Sequence, residues 1–285
     1  MPSTPSPLRY PGGKTKLYDM IKPIVAQNIS GNERIYVEPF AGGSGLALKL
    51  LCNNDVDQLI LNDIDYCIYC FWYSCLNHSE QLCEMIIDCN VSVDTWKMEK
   101  SIYLSPESYS KLEVGFATFF LNRCNVSGVI QGGPIGGFDQ LGAYLIDARF
   151  NKKDLVDRIK KIGMLSDRIS FYNMDATAFL QNELPQIIRG DIFLNIDPPY
   201  VKKGKLLYEN SFGEADHTEL SRVVRALNYK WIVTYDECDF IRQLYADCRK
   251  QTISLDYSAG RTRKGSEFLI FGNLIEIPDE NESAG

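Results

Sequence analysis

Asp191-Ile192-Phe193-Leu194-Asn195-Ile196-Asp197-Pro198-Pro199-Tyr200 is the stretch on which the reading of the chain turns. A short apolar run ending in an acid, two prolines and an aromatic predicts a buried strand that stops abruptly. The prolines cannot extend a ladder, so they form a stiff, extended corner just past the strand's carboxyl end. In open α/β sheets, ligands bind outside that edge. The corner offers the Asp197 carboxylate, the Pro198 carbonyl and the Tyr200 ring. That set suits a planar group bearing an amino group: the two oxygens accept its N–H bonds and the ring stacks on its face. Taken alone, the four residues read equally well as a strand end with a Pro-Pro turn. The surrounding sequence decides between the two.

Working outward, the chain predicts strands at 34–40, 58–63, 169–175, 191–196 and 231–235, and a closing pair at 252–257 and 267–274. Seven strands alternate with helices early and end in a hairpin, which is an α/β pattern. The first strand runs into Ala41-Gly42-Gly43-Ser44-Gly45 and then a helix over 46–53. Strand, glycine turn and helix form a nucleotide-binding arrangement, with backbone N–H groups aimed at an anion. The dinucleotide fingerprint wants a small third residue, and Leu48 stands there, so one carboxylate fits better than a pyrophosphate. Asp63 ends the second strand 20 residues after Gly43, the distance at which an acid hydrogen-bonds ribose hydroxyls. One ribose, no pyrophosphate and a carboxylate describe S-adenosyl-L-methionine.

Gly13-Lys14-Thr15 invites a P-loop reading, but the glycine required five positions before Gly13 is Leu8. The Pro-Gly-Gly turn instead sets Tyr10 and Lys14 at the start of a helix over 14–27. There an aromatic face and a cation suit a cofactor's adenine and carboxylate, and a plain helix-capping turn is the alternative. Asp216-His217-Thr218-Glu219 reads as a capping box opening a later helix, with His217 structural. Residues 64–126 read as mostly helical, and 128–144, rich in glycine, as a hairpin or long loop.

The composition, 45% hydrophobic and 24% charged over 285 residues, gives an ordinary globular chain with a sizeable core. No apolar run is long enough to span a membrane, and the first residues lack the basic and apolar regions of a signal peptide. Nine cysteines, an odd number without a secretion signal, point to reduced thiols and the cytoplasm. Cys67 and Cys70 form a lone CxxC in an apolar stretch, and no second pair at zinc spacing follows, so no metal site is expected. The net charge of -7 argues against a broad nucleic-acid footprint. Basic residues nevertheless cluster at 149–168, at Lys202, Lys203 and Lys205, and at Arg261, Arg263 and Lys264.

Together these landmarks resemble the Dam-type adenine-specific DNA methyltransferases over nearly the whole chain. Tyr10-Pro11-Gly12-Gly13-Lys14 is similar to the family's opening motif, and Glu38 to Ser44 to its glycine motif. Asn62-Asp63-Ile64-Asp65 resembles its Asp-x-Asn motif, with Asp65 in place of the usual Asn. Phe120-Leu121-Asn122-Arg123 resembles the helix that leads into the DNA-reading hairpin, and Asp197 to Tyr200 its Asp-Pro-Pro-Tyr signature.

The resemblance implies a seven-stranded Rossmann-like methyltransferase sheet, built from residues 1–65 and 151–285. An inserted helical and β-hairpin DNA-recognition domain occupies 66–150, and no metal takes part. It implies N6 methylation of a flipped-out adenine in double-stranded DNA, with Asp197, Pro198 and Tyr200 catalytic. Tyr10, Lys14, Asp63 and Asp197 would contact S-adenosyl-L-methionine, and Asp175, at another strand end, joins them. Asn122, Arg123 and Asn125 would contact DNA. The protein is expected to be monomeric, and a cognate restriction endonuclease is a partner the sequence leaves open. The 127–143 segment lacks the basic residues of GATC readers and carries Gln131, Asp139 and Gln140, so the target sequence stays open. N4 of cytosine, adenine in RNA and a catalytically silent DNA-binding module are the competing readings.

Overall fold

The computed structural model describes residues 4–10, 13–201, 212–257 and 263–278. Its seven strands are β1 (Arg34–Glu38), β2 (Gln58–Asn62), β3 (Ile169–Tyr172), β4 (Asp191–Ile196), β5 (Lys230–Asp236), β6 (Arg249–Tyr257) and β7 (Arg263–Phe271). They form one mixed sheet of order β3-β2-β1-β4-β5-β7-β6. β1 pairs in parallel with β2 and β4, and β4 with β5, whereas β7 runs antiparallel to both β5 and β6. The strand order reverses between β1 and β4. That reversal is a topological switch point, where the strands' carboxyl ends leave a crevice.

The chain divides into two compact units. One comprises residues 14–41, 46–62 and 174–285 and carries six of the strands. Its inner strands are near-continuous apolar runs because both faces are covered: Ile35, Tyr36 and Val37 of β1 and Ile192, Phe193, Leu194 and Ile196 of β4 are all buried. Tyr36 faces Phe193 across the ladder, and their rings stack with centroids 6.1 Å apart. Around these strands lie α1 (Tyr18–Asn28), most of α2 (Gly45–Cys52), the short turns α8 (Ala176–Ala178) and α9 (Leu184–Ile187), α10 (Glu214–Ala226) and α11 (Asp239–Leu244). α10 starts two residues before the expected capping box. Asp216 reaches back to accept from the Gly213 N–H at 2.8 Å, and His217 turns inward to Tyr235 Oη at 2.9 Å, a packing role.

The other unit comprises residues 1–13, 42–45 and 63–173. Compactness thus groups β3 and α7 (Lys152–Gly163) with α3 (Tyr66–Asn77), α4 (Ser79–Asp88), α5 (Val93–Leu104) and α6 (Lys111–Cys124). The expected insert begins and ends inside this unit. α6 is apolar almost all round and is opened by a capping box, Ser110 with Glu113. It lies so close to α3 that a Cβ on Gly115 would sit 2.6 Å from the Cys70 carbonyl oxygen, which is why a glycine occupies mid-helix. Phe71 stacks on Phe119 across that contact.

The segment after α6 is a loop rather than a paired hairpin. A single antiparallel bridge, Asn125 to Pro134, is its only ladder-like contact among the described residues. Gly128, Gly136 and Gly137 have φ of 76°, 86° and 75°, left-handed values that break any ladder. All nine cysteines are reduced, and no cluster of three or more metal-ligating side chains occurs among the described residues. No helix there is long and apolar enough to cross a membrane.

Candidate active site at the carboxyl edge of the sheet

β4 ends at Ile196, and Asp197 follows directly at the switch point. Lys14 and Thr234 fix its carboxylate. Oδ1 lies 3.0 Å from Lys14 Nζ and accepts from Thr234 Oγ1 at 2.6 Å. Among the described residues, no donor takes Oδ2 or the Pro198 carbonyl oxygen. The Asp197 side chain is about a quarter exposed (26%), and its held oxygen is Oδ1. The corner itself is tied down where Val201 N donates to Asp236 Oδ1 at 3.0 Å.

Lys14 is 6% exposed and sits between two carboxylates, since Glu267 Oε2 of β7 lies 3.3 Å from its Nζ. Lys14 Nζ also donates to Tyr200 Oη at 2.7 Å and lies 5.0 Å from that ring's centroid. The Tyr200 hydroxyl in turn donates to Glu267 Oε1. Burial works against the ammonium, but Asp197 and Glu267 outweigh it and hold the Lys14 proton above its ordinary range. Burial raises Glu267, despite the neighbouring ammonium.

Glu38 closes β1 beside this group. It is buried, and Asn195 Nδ2 donates to its Oε1 at 3.3 Å. Burial, reinforced by the charge of Asp197, pushes its carboxyl up to about 8. An unfolded glutamate ionises near 4.5, so the folded chain keeps this proton across the interval. Its stability is therefore full below about pH 4.5 and is lost as pH rises toward 8. Glu99, raised to about 7 by burial, and Asp63, raised to about 6, act with the same sign. The free protein should thus melt about 5 °C or more lower at pH 8 than at pH 5, and Glu38→Gln should flatten much of that slope. Melting curves of both proteins across this range check it; parallel slopes would contradict the assignment to Glu38.

In the other unit, the Tyr10 ring lies flat on the glycine turn. A Cβ on Gly42 would come within 2.7 Å of the ring, and Gly42 also has φ of 46°. Asp63 Oδ2 accepts from Gly42 N at 2.8 Å, and its Oδ1 accepts from Asp65 N at 3.0 Å. Asp65 caps α3 through Cys67 N and Ile68 N. An Asn in its place caps equally well, which accounts for the departure from the motif. Asp175, expected beside an adenine, is exposed and caps α8, accepting from Thr177 N and Ala178 N at 3.0 Å each.

Asn122, Arg123 and Asn125 come together at the end of α6. The Asn122 amide is buried and pairs with Arg9 N and O and with Gly128 O. Asn125 Oδ1 accepts from Trp96 Nε1 at 2.6 Å, and its amide donates to the Val129 and Ile130 carbonyls at 2.9 Å each. Arg123 donates to the Arg149 and Pro7 carbonyls. Burial first, then Arg9 and Arg158, pull its guanidinium down to about 10. All three side chains hold the following loop in shape. Asn125→Ala leaves an indole N–H and two carbonyls without that partner, and should cost about 1–3 kcal/mol of stability by denaturant unfolding. An unchanged midpoint would argue against this anchoring.

Glu267 and Thr234 carry no role in the sequence reading, and Glu38 enters it only as the first residue of the glycine motif. The available signal was a polar residue inside an apolar strand, as Thr234 is in Trp231-Ile232-Val233-Thr234-Tyr235 and Glu267 is just before Phe268-Leu269-Ile270-Phe271. Pro11 and Gly12, the Lys202, Lys203 and Lys205 group, Arg261, and the side chains of Arg263 and Lys264 lie outside the described residues.

Residues 10–258 match the family model described as D12 class N6 adenine-specific DNA methyltransferase. Among curated proteins, the type II methyltransferase M.CviBI of Paramecium bursaria Chlorella virus NC1A is 22% identical over 244 residues, covering 84% of this chain and 85% of that protein. The type II methyltransferase M.MjaIII of Methanocaldococcus jannaschii is 22% identical over 235 residues, covering 78% of each. Among solved structures, the rRNA methyltransferase aviRa from Streptomyces viridochromogenes superposes with a TM-score of 0.40 at 13% identity, covering 92% of this chain and 86% of that one. That likeness is too loose to bear on the site.

Proposed function

We infer the reaction from one premise: this chain belongs to the D12 class N6 adenine-specific DNA methyltransferases. We propose that it methylates N6 of an adenine flipped out of double-stranded DNA. The observation that carries this reading is the corner after β4, where Asp197 is fixed through Oδ1 while no donor among the described residues takes its Oδ2 or the Pro198 carbonyl oxygen.

Adenine's amino group is a poor nucleophile because its lone pair is delocalised into the ring. Two acceptors, Asp197 Oδ2 and Pro198 O, take its two N–H bonds and favour a tetrahedral nitrogen with the lone pair freed. Tyr200 stacks on the base, an interaction worth about 1–3 kcal/mol by comparison with other base–aromatic contacts. The base must leave the duplex for this, because its amino group is buried there. The accelerating effect is chiefly positioning of the amino nitrogen, as an in-line displacement requires.

S-adenosyl-L-methionine, when bound, supplies an electrophilic methyl group on a sulfonium. The residues present fit such a molecule. The glycine turn gives bare backbone under the Tyr10 ring, Asp63 is a fixed acid at the end of β2, and Asp197 is an acid held at the end of β4. We assign Tyr10, Lys14, Asp63, Asp175 and Asp197 to its contacts. Lys14 serves through Asp197, and Asp175 offers the edge of its capping carboxylate.

Residues 66–150 form the proposed DNA-reading insert. Asn122, Arg123 and Asn125 support its loop, which exposes Phe138, Leu141 and Tyr144 to a partner. The acidic net charge is no obstacle, since phosphate contacts are local. The test is transfer of labelled methyl from the donor to unmodified duplex DNA, with RNA of the same sequence beside it. Label in DNA alone supports the reading; label in RNA alone would overturn it.

A further inference from the structure

Lys14 stands 253 residues from Glu267 in sequence, yet their charged ends meet under the corner. We propose that Glu267 is a positioning residue for methyl transfer, its buried carboxylate holding the Lys14 ammonium and the Tyr200 hydroxyl so that Asp197 stays a strong acceptor and the outer end of the Tyr200 ring stays in place. This rests on the reaction proposed above and adds a residue to it.

Lys14 and Tyr200 share Glu267 as a partner. A lysine next to Asp197 alone would form a closed ion pair and draw electron density from the oxygen that must accept the amino protons. Here a second carboxylate, 3.3 Å away on β7, shares the ammonium. Asp197 is thus oriented through Oδ1 without being fully neutralised. Thr234, on the neighbouring β5, completes that orientation. Glu267 also accepts the Tyr200 hydroxyl proton while Lys14 donates to the same hydroxyl oxygen. Two bonds at the hydroxyl fix where the outer end of the ring lies, and a stacked base requires that placement. Glu267 is fully buried on the strand next to β5, so it touches neither base nor donor and acts through its two partners.

Glu267→Gln keeps the shape and removes the charge. In labelled-donor assays on duplex DNA, kcat should fall about 10- to 100-fold while KM for the donor changes less than about threefold. Glu267→Asp should recover part of the loss. Tyr200→Phe should lose less alone, and adding it to Glu267→Gln should cost little more, because both substitutions break the same link. A merely structural glutamate would lower the melting temperature and the amount of active protein, but would give no such coupling with Tyr200. A folded Glu267→Gln protein with wild-type kcat, or losses that multiply in the double variant, would overturn the role of Glu267. A wild-type protein that methylates no DNA would overturn the reaction itself, which separates the two failures.

Discussion

Replacing Asp197 by alanine abolishes methyl transfer to DNA and leaves the protein folded. The rate should fall by about a thousandfold or more, because the substitution removes an aligned acceptor at the reacting nitrogen. Removing one member of a buried ion pair usually destabilises strongly, since the other charge is stranded. Lys14 is not stranded here: Glu267 lies 3.3 Å from its Nζ, and Tyr200 Oη accepts from it at 2.7 Å. The Asp197 side chain is also partly exposed, so little packing is lost. The expected signature is a normal melting curve, a loss of turnover far larger than any loss of donor affinity, and no label in DNA. Retained turnover would remove Asp197 from the chemistry and with it the proposed grip on the amino group.

Tyr200→Ala should weaken turnover more than donor binding. The lost stack, about 1–3 kcal/mol, corresponds to roughly a 5- to 150-fold fall in kcat/KM for DNA. Donor affinity, read by titration with S-adenosylhomocysteine, should stay within about twofold. Tyr200→Phe keeps the ring and should keep most of the base binding, while losing the hydroxyl link to Lys14 and Glu267. Equal losses of donor affinity and turnover in Tyr200→Ala would count against a stacking role and move the ring to the donor's side.

The strands were legible because their signal is local. Apolar runs bounded by glycine, proline or an acid mark β1, β2, β4 and β5 within a residue or two, and the same runs locate the corner after β4. The partners of that corner were not legible. Glu267 reaches Lys14 only through the order β4-β5-β7, and no spacing in the sequence encodes that contact. Strand-end acids show a second kind of ambiguity. Asp63 and Asp175 look alike in sequence, yet one braces the glycine turn and the other caps a short helix. Asn122 and Asn125 show the same ambiguity. An amide leading into a loop can read a base or hold the loop, and both of these make loop contacts. The loop itself, expected as a hairpin or long loop, is unpaired because its left-handed glycines interrupt any ladder.

The central claim concerns which atom receives the methyl group. Unmodified duplex DNA incubated with the protein and labelled S-adenosylmethionine can be digested to nucleosides and separated by chromatography with mass detection. The account predicts that all label migrates with N6-methyldeoxyadenosine; label on N4-methyldeoxycytidine, or on no nucleoside at all, would contradict it.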